Sequence, residues 1–371
     1  MKKALRIIIS GGGTGGHIFP AISIANTLQA RMPDAEILFV GAENRMEMER
    51  VPAAGYKIIG LPVAGLNRKN LFKNIPVIVK LINSIALARK VIRDFQPDVV
   101  VGVGGYASGP VLRAAGQAGI PTLIQEQNSY AGVTNKFLAK KASKICVAYP
   151  EMERFFPKSK IVLTGNPVRN LLSSDEKRKE GFAFFNLDPE KKTILVLGGS
   201  LGARTLNQGM IQGLEKIKDS EVQFIWQSGK FYYEEARQAL SAYPEMPVCL
   251  TDFISRMDLA YSVADLIISR AGAGSIAEFC ILGKPVILIP SPNVAEDHQT
   301  KNALALFKKD AADMISDKDA VEKMVDTALL LINNEVLLSS YSEKIREWAY
   351  PEAASKITDE IINLVNGNNN G

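Results

Sequence analysis

Short apolar runs alternate with amphipathic stretches along most of the chain, and this pattern predicts alternating strands and helices. The predicted strands of the first half are residues 5–9, 36–40, 98–103, 121–124, 144–148 and 161–163. Those of the second half are residues 193–197, 222–227, 248–250, 265–268 and 285–289. Strands that alternate with helices are typical of βαβ units and a parallel sheet, so we expect an α/β protein.

A pair of glycine-rich turns occurs twice, in the same order. Residues 7–17 (IIISGGGTGGH) correspond to residues 194–204 (ILVLGGSLGAR), an offset of 187. Residues 98–108 correspond to residues 265–275, an offset of 167. Each copy is an apolar run, a turn with few bulky side chains and then a helical pattern, which presents backbone N–H groups to an anion. We therefore expect two similar nucleotide-binding-type domains.

The first half has 20 extra residues between its two turns, because the offset falls from 187 to 167. The intermediate strands, residues 37–41 and 224–228, still differ by 187, so the excess follows Gly41. In this part of the chain, residues 61–90 contain basic but no acidic side chains, interleaved with Leu, Phe, Ile and Val.

This composition is typical of a surface that binds anionic lipid headgroups. An ordinary crossover helix, with its apolar stripe in the core and its lysines in solvent, is an equally good interpretation. On the first interpretation, the membrane contacts are Lys69, Leu71, Phe72, Lys73, Ile75, Val79 and Lys80.

Length and composition fit a globular protein with two domains. The 371 residues exceed the size at which one core usually stops growing, and 47% hydrophobic and 22% charged residues are near the averages. A net charge of +5 without a nucleic-acid motif does not indicate nucleic-acid binding. Three cysteines without a CxxC pair predict neither a zinc site nor a disulfide framework, and no signal peptide or spanning helix is predicted. Residues 165–169, followed by the polar run 173–181, mark the expected domain boundary.

His17 follows the first glycine-rich turn. Residues 11–16 satisfy GxGxxG but lack the GK[ST] ending of a P-loop. A histidine in the first turn of a helix lies at the positive end of the helix dipole, which favours the neutral imidazole. A neutral imidazole can act as a general base, so His17 is the candidate catalytic base. A cap or turn hydrogen bond is the alternative role.

A second candidate site begins at residues 271–278, where a predicted strand enters a helix. The small residues at its start let a diphosphate approach the helix N-terminus, and Glu278 can accept hydrogen bonds from vicinal sugar hydroxyls. Glu278 is otherwise a first-turn partner of the helix dipole. Residues 297–302 (DHQTKN) follow the next strand, at the sheet edge where ligands bind in open α/β folds. The DxD at residues 317–319 is interpreted as a helix N-cap, and no metal or other cofactor is predicted.

Five segments, in fixed order, resemble successive motifs of the MurG family, the peripheral N-acetylglucosaminyltransferases of peptidoglycan synthesis. They are residues 12–20 (GGTGGHIFP), 102–110 (GVGGYASGP), 125–128 (QEQN), 165–169 (GNPVR) and 198–204 (GGSLGAR). The match extends over almost the whole chain and is far more specific than one glycine loop.

The resemblance implies a GT-B fold, that is, two Rossmann-like doubly wound parallel-sheet domains that face a central cleft. Residues 1–164, with a C-terminal helix at 346–371, would bind the lipid-linked acceptor and associate with the membrane. Residues 165–345 would bind UDP-N-acetylglucosamine (UDP-GlcNAc). The enzyme would invert the anomeric centre and transfer GlcNAc, without metal, to the muramyl 4-hydroxyl of undecaprenyl-diphospho-N-acetylmuramoyl-pentapeptide (lipid I). The product would be lipid II, made at the cytoplasmic face of the cell inner membrane for cell-wall biogenesis.

The resemblance also implies roles for individual residues. In the donor site, Ile254 would contact uracil through its backbone, and Glu278 would contact the ribose. Ser200 and the 273–275 turn would contact the diphosphate. The full implied donor set is Thr14, Gly15, Gly16, Asn128, Arg169, Ser200, Ile254, Ala273, Gly274, Ser275, Ile276, Ala277, Glu278 and Gln299. The implied acceptor set is Gly104, Gly105, Tyr106 and Ser108. Many family members carry paired glutamines where this chain has His298 before Gln299.

Three other functions fit parts of the pattern. A UDP-GlcNAc 2-epimerase could share the two-domain shape. It would need several acidic and histidine groups around the sugar, and the chain has only two histidines. An NAD-dependent oxidoreductase could use the first glycine turn with Glu43 on the ribose. A non-catalytic module that binds nucleotide sugars or lipids is the third.

Overall fold

Parallel strands form one sheet in each half of the chain. The computed structural model describes residues 4–64, 75–168, 174–199 and 201–368. The chain forms two units, Met1–Arg169 with Tyr350–Gly371, and Asn170–Ala349. Six predicted site residues lie outside the described residues, namely Lys69, Leu71, Phe72, Lys73, Arg169 and Ser200.

In the first unit, the described residues form seven parallel strands and five helices before the chain enters the second unit. The strands are β1 (Arg6–Ser10), β2 (Glu36–Ala42), β3 (Lys57–Leu61), β4 (Val99–Gly102), β5 (Thr122–Glu126), β6 (Lys144–Val147) and β7 (Ile161–Leu163). The helices are α1 (Gly15–Arg31), α2 (Glu47–Ala53), α3 (Ile75–Phe95), α4 (Ser108–Gln117) and α5 (Val133–Leu138). Short 3-10 turns lie at Met152–Arg154 and Lys158–Lys160. The strand order is β3-β2-β1-β4-β5-β6-β7.

The second unit repeats this pattern with six strands in its described residues. The strands are β8 (Thr193–Leu197), β9 (Gln223–Gln227), β10 (Val248–Thr251), β11 (Leu266–Ser269), β12 (Val286–Leu288) and β13 (Asp313–Met314). The helices are α6 (Asp175–Phe185), α7 (Arg204–Gln212), α8 (Leu214–Lys218), α9 (Tyr233–Leu240), α10 (Met257–Val263), α11 (Ala273–Leu282), α12 (His298–Phe307), α13 (Asp317–Ile332) and α14 (Glu335–Arg346), with a 3-10 turn at Ala295–Asp297. The strand order is β10-β9-β8-β11-β12-β13.

The pairing register repeats as the duplicated turns predict. Ile7 of β1 pairs with Ile37 and Val99, and Ile194 of β8 pairs with Phe224 and Leu266. Adding 187 to the first two positions and 167 to the third converts one set into the other. Strands β3 and β13 are absent from the predicted set, the first because its five residues lack a continuous apolar run and the second because it has only two residues.

Both faces of the first sheet are buried, which explains why the central residues of β1, 7–9, are all apolar. Successive strand residues point to opposite faces, so Ile8 packs with the α3 and α4 residues Ala88 and Val111 while Ile7 packs with Ile18 of α1. Helices on both faces make the sheet doubly wound, and the predicted fold class is confirmed.

The last helix, α15 (Ala353–Asn368), belongs to the first unit. It begins two residues after Pro351 and packs against α1. Ile357 and Ile361 are fully buried in the first unit's core, and Arg31 pairs with Asp359 at 2.7 Å. Among the described helices, none combines the length and apolar character needed to span a membrane.

Candidate active site

The first glycine-rich turn, between β1 and α1, binds a carboxylate of the chain itself. The Gly13 N–H donates to both oxygens of Glu47 at 3.0 Å, and the Ala42 N–H donates to Glu47 Oε1 at 2.9 Å. Glu47 is the first residue of α2 and is only 1% exposed. The sequence predicts that this turn offers its N–H groups to an external anion, but for Gly13 that is wrong because Glu47 already accepts the bond.

His17 lies in the first turn of α1, with its ring turned back toward the glycine turn. Its Nδ1 is 3.0 Å from the Gly12 carbonyl oxygen and 3.4 Å from Thr14 Oγ1. A carbonyl oxygen can only accept, so Nδ1 carries the proton in this contact. In the neutral ring, the lone pair is then on Nε2. The geometry of His17 therefore fits the turn hydrogen bond of the alternative role, and the same contact favours the tautomer that a base needs.

The Nε2 edge of His17 faces the second glycine turn, which follows β4. A Cβ atom added to Gly104 would lie 2.8 Å from both Nε2 and Cδ2 of His17, and one added to Gly105 would lie 2.4 Å from the Gly12 carbonyl oxygen. Gly104 and Gly105 also have φ of +96° and +84°, which other residues rarely adopt. Only glycine lets the two turns approach this closely.

The two predicted acceptor side chains of this turn differ. Ser108 is fully buried and its hydroxyl donates to the Gly105 carbonyl at 3.0 Å, so it stabilises the turn. Tyr106 is 59% exposed and presents its ring to solvent.

A buried amide network holds the strand ends behind these turns. Gln127 Nε2 donates to the Val103 carbonyl at 2.7 Å, and Gln125 Nε2 donates to Asn166 Oδ1 at 3.0 Å. Asn166 in turn donates to the Gln127 carbonyl at 2.9 Å. The motifs 125–128 and 165–169 are therefore joined by hydrogen bonds, which fixes the carboxyl end of β5 against the chain that follows β7.

Glu126 orients the predicted donor residue Asn128. It is fully buried and accepts hydrogen bonds from the backbone and side chain of Asn128 at 3.1 and 3.3 Å, and from Gly132 and Asn135 at 2.9 Å. Burial raises the pKa of Glu126 above its ordinary value, and these hydrogen bonds oppose that shift. The segment after β5 is thus folded around one carboxyl group.

In the second unit, helix α11 begins beside open space. Gly272 occupies the N-cap and has no side chain to cap the helix, and a Cβ added to Gly274 would meet no atom within 4 Å. The first-turn N–H groups of such a helix can bind an anion. Ala273 is buried, so its predicted contact with the diphosphate would fall on the backbone.

Glu278 lies beyond the first turn of α11, which contains no acidic residue. Its interpretation as a first-turn dipole partner is therefore wrong. Its Oε2 accepts a 2.7 Å hydrogen bond from the hydroxyl of Tyr261, which is 2% exposed. The Tyr261 ring packs edge-on against Phe279, with centroids 5.9 Å apart and planes at 85°. Tyr261 thus fixes one oxygen of the carboxylate.

The remaining donor candidates border loops at the carboxyl edge of the second sheet. Gln299 Oε1 accepts from the Ser291 N–H at 2.9 Å, and His298 is the first residue of α12. Two consecutive non-glycine residues before it, Glu296 and Asp297, have left-handed φ of +55° and +54°. Ile254 is 3% exposed, so its side chain is buried, as a backbone contact with uracil would allow.

The DxD segment is not an N-cap. Ser316 is the N-cap of α13, and Asp317 Oδ1 instead accepts from Arg270 Nη1 at 2.5 Å. Within the described part of the chain, no group of three His, Cys, Asp or Glu side chains is placed to hold a metal ion.

Residues 7–147 match the Glycosyltransferase family 28 N-terminal domain, and residues 193–356 match the C-terminal domain of the same family. The chain belongs to glycosyltransferase family 28. A relative from Parabacteroides distasonis is 64% identical over 98% of this chain and 99% of its own length, and one from Bacteroides thetaiotaomicron is 59% identical over the full length of both. Both are named UDP-N-acetylglucosamine–N-acetylmuramyl-(pentapeptide) pyrophosphoryl-undecaprenol N-acetylglucosamine transferase.

Solved structures agree with this membership of family 28. Acinetobacter baumannii MurG is 29% identical, with a TM-score of 0.79 over 97% of this chain and 99% of that one. A UDP-GlcNAc 2-epimerase from Neisseria meningitidis has a TM-score of 0.68 at 16% identity, which shows a shared fold alone. The predicted MurG-family N-acetylglucosaminyltransferase with a GT-B fold is confirmed.

Two residues that hold parts of the candidate site in place are missed by the sequence analysis. Glu47 belongs to no motif and lies 34 residues from the Gly13 amide that it binds. Tyr261 precedes Glu278 by 17 residues on another helix. Neither spacing carries a sequence signal, because both contacts depend on how the sheet brings separate elements together.

Proposed function

We propose that this family 28 member transfers GlcNAc from UDP-GlcNAc to the 4-hydroxyl of the muramyl sugar in undecaprenyl-diphospho-N-acetylmuramoyl-pentapeptide. The observation that carries the proposal is the match to relatives of this name at up to 64% identity over nearly the whole chain. The epimerase, oxidoreductase and binding-module alternatives have no comparable support.

The second unit would bind the donor. The start of α11 supports a diphosphate site, and Glu278, oriented by the Tyr261 hydroxyl, would accept from the ribose. Ile254 would meet uracil and Gln299 the sugar hydroxyls. Four further contributions to donor binding are proposed from the resemblance alone, namely those of Ser200, Arg169, Asn128 and the 14–16 turn.

The first unit would bind the acceptor and supply the base. His17 Nε2 removes the proton of the acceptor hydroxyl while its oxygen attacks the anomeric carbon from the face opposite UDP. The O–H and the carbon–diphosphate bonds break, Nε2–H and the new glycosidic bond form, and UDP leaves with the bonding electrons. The N-terminus of α11 stabilises the charge that develops on UDP.

Transfer of labelled GlcNAc to a lipid I analogue tests the reaction, and no transfer to any lipid I analogue would contradict it. His17→Ala should lower kcat by about 10²- to 10⁴-fold, the usual contribution of a general base, with UDP binding nearly intact. Unchanged turnover would remove His17 from the mechanism.

We also propose that the N-terminal part of α3 contacts the cytoplasmic face of the inner membrane. Ile78, Val79 and Ile82 are 53%, 53% and 60% exposed, and Lys80 beside them is exposed. The apolar stripe of α3 reaches the core only further along the helix, at residues such as Val91. The interpretation of α3 as an ordinary crossover helix therefore explains the buried side chains of its second part but not the exposed apolar side chains of its first part.

Sedimentation with phosphatidylglycerol vesicles tests this surface. Ile78→Ser with Ile82→Ser should weaken binding, because each change removes exposed apolar area that lipid would cover. Leu330→Ser with Val336→Ser is the matched control, since these side chains of the second unit are 75% and 83% exposed. Equal binding by both double variants would contradict the proposal.

A further inference from the structure

One peptide group connects His17 to a buried carboxylate. The carbonyl of Gly12 and the N–H of Gly13 belong to the same peptide unit. His17 Nδ1 lies 3.0 Å from that carbonyl oxygen, and both oxygens of Glu47 lie 3.0 Å from that amide nitrogen. In a planar trans peptide these two groups point in opposite directions, so the peptide stands between the imidazole and the carboxylate.

Glu47 is held in this position on several sides. It also accepts from the Ala42 N–H at 2.9 Å and is almost fully buried. A Cβ added to Gly41 would lie 2.6 Å from Glu47 Cγ, and one added to Gly12 would lie 2.0 Å from Oε1. The glycines at these positions leave room for the carboxylate and for no larger group.

The contacts of Glu47 are not those of an ordinary structural ion pair. Buried carboxylates are usually paired with a cation. Among the described residues, no Lys, Arg or His forms a salt bridge with Glu47, whose contacts are backbone N–H groups. A negative group at the N–H end of a peptide polarises the peptide, which makes its carbonyl oxygen a stronger acceptor.

We propose that Glu47 is a positioning residue for His17 and acts through the Gly12–Gly13 peptide. The carboxylate strengthens the Gly12 carbonyl as an acceptor, and this bond keeps the proton on Nδ1 and the lone pair on Nε2. When Nε2 gains a proton, the imidazolium donates to the same carbonyl, and the carboxylate beyond it stabilises the positive charge. The inference rests on the proposed role of His17 as the base.

The tautomer of His17 tests the arrangement without any turnover. The chain has only two histidines, so ¹⁵N-histidine labelling gives two imidazoles, and His298→Gln assigns them. At about pH 8.5, where an ordinary imidazole is neutral, wild-type His17 should carry its proton on Nδ1. Glu47→Gln should shift His17 toward the Nε2–H form. A wild-type His17 protonated on Nε2 would overturn the proposal, whether or not any Glu47 variant folds.

A double-mutant cycle on kcat tests the functional coupling. Glu47→Gln should lower kcat by about 10- to 100-fold, the range that corresponds to a lost hydrogen bond to a charged group, with the KM for UDP-GlcNAc changed by less than about threefold. In the His17→Ala background the same change should cost little more, because a residue that acts through His17 has nothing left to position. An equal loss in both backgrounds would show a merely structural role and overturn the proposal.

Glu49→Gln is the matched control, because Glu49 lies on the same short helix and is exposed. It should leave kcat and the His17 tautomer unchanged. If the wild-type protein transfers no GlcNAc but shows the Nδ1–H tautomer, the proposed function fails. If it transfers GlcNAc with the other tautomer, only the role of Glu47 fails.

Discussion

Replacing Tyr261 by phenylalanine would isolate the hydrogen bond that orients Glu278. The change removes one hydroxyl and keeps the ring that packs edge-on against Phe279. The lost bond joins a buried hydroxyl to a carboxylate at 2.7 Å. Hydrogen bonds to charged groups contribute about 1.5–3 kcal/mol.

Only part of that energy should appear in donor binding, because Glu278 can still accept from the ribose after it loses its partner. We take half of the middle of this range, about 1.1 kcal/mol, which corresponds to about a sixfold weaker Kd. Calorimetry with UDP measures this directly. The ratio of the Kd for 2′-deoxy-UDP to the Kd for UDP should also be smaller for the variant, because the carboxylate that accepts from the ribose hydroxyls is no longer held in place.

Tyr243→Phe is the matched control in the same unit. The Tyr243 hydroxyl also donates to a glutamate, Glu215, at 2.6 Å, but on the exposed surface. UDP binding by this control should equal that of wild type. If Tyr261→Phe binds UDP within twofold of wild type while Glu278→Ala binds it much more weakly, Tyr261 does not orient the ribose carboxylate.

Two further changes follow from the geometry. Gly104→Ala should lower kcat more than tenfold, because its Cβ would lie 2.8 Å from the His17 ring and alanine rarely adopts φ of +96°; a normal kcat in steady-state assays would contradict this. Burial lowers the pKa of Lys284 from 10.5 to about 8, so the unfolded chain binds more protons between these pH values and stability rises with pH there. Relative to Lys284→Met, the free energy of unfolding of wild type in urea should therefore rise by about 3 kcal/mol from pH 8 to 10.5, and a pH-independent difference would exclude the shifted lysine.

The fold follows from local signals that the chain repeats. The central strands of both sheets are apolar runs, each followed by a glycine-rich turn. The offsets of 187 and 167 reappear in the strand pairing, because Ile7 pairs with Val99 and Ile194 pairs with Leu266. The apolar pattern does not predict strands β3 and β13, because a short edge strand such as Lys57–Leu61 is half-buried and lacks a continuous apolar run.

The site is only partly predictable for a different physical reason. A glycine turn before a helix indicates an anion site, but the sequence does not say whether the anion is a ligand or the chain's own Glu47. Ser108 lies in a motif beside Tyr106, yet burial gives the two side chains different roles. Such differences arise from tertiary packing, which no spacing between motif residues records.

The C-terminal helix α15 makes synthesis and folding run in opposite orders. Ile357 and Ile361 complete the core around α1, but the whole second unit is translated before them. At about 5–20 residues per second, the roughly 320 residues between α1 and α15 take about 16–64 seconds to translate, and α1 waits this long for the helix that covers it. The second unit is continuous in the chain and has no such delay. The half of the protein that is made first is therefore the half that is finished last.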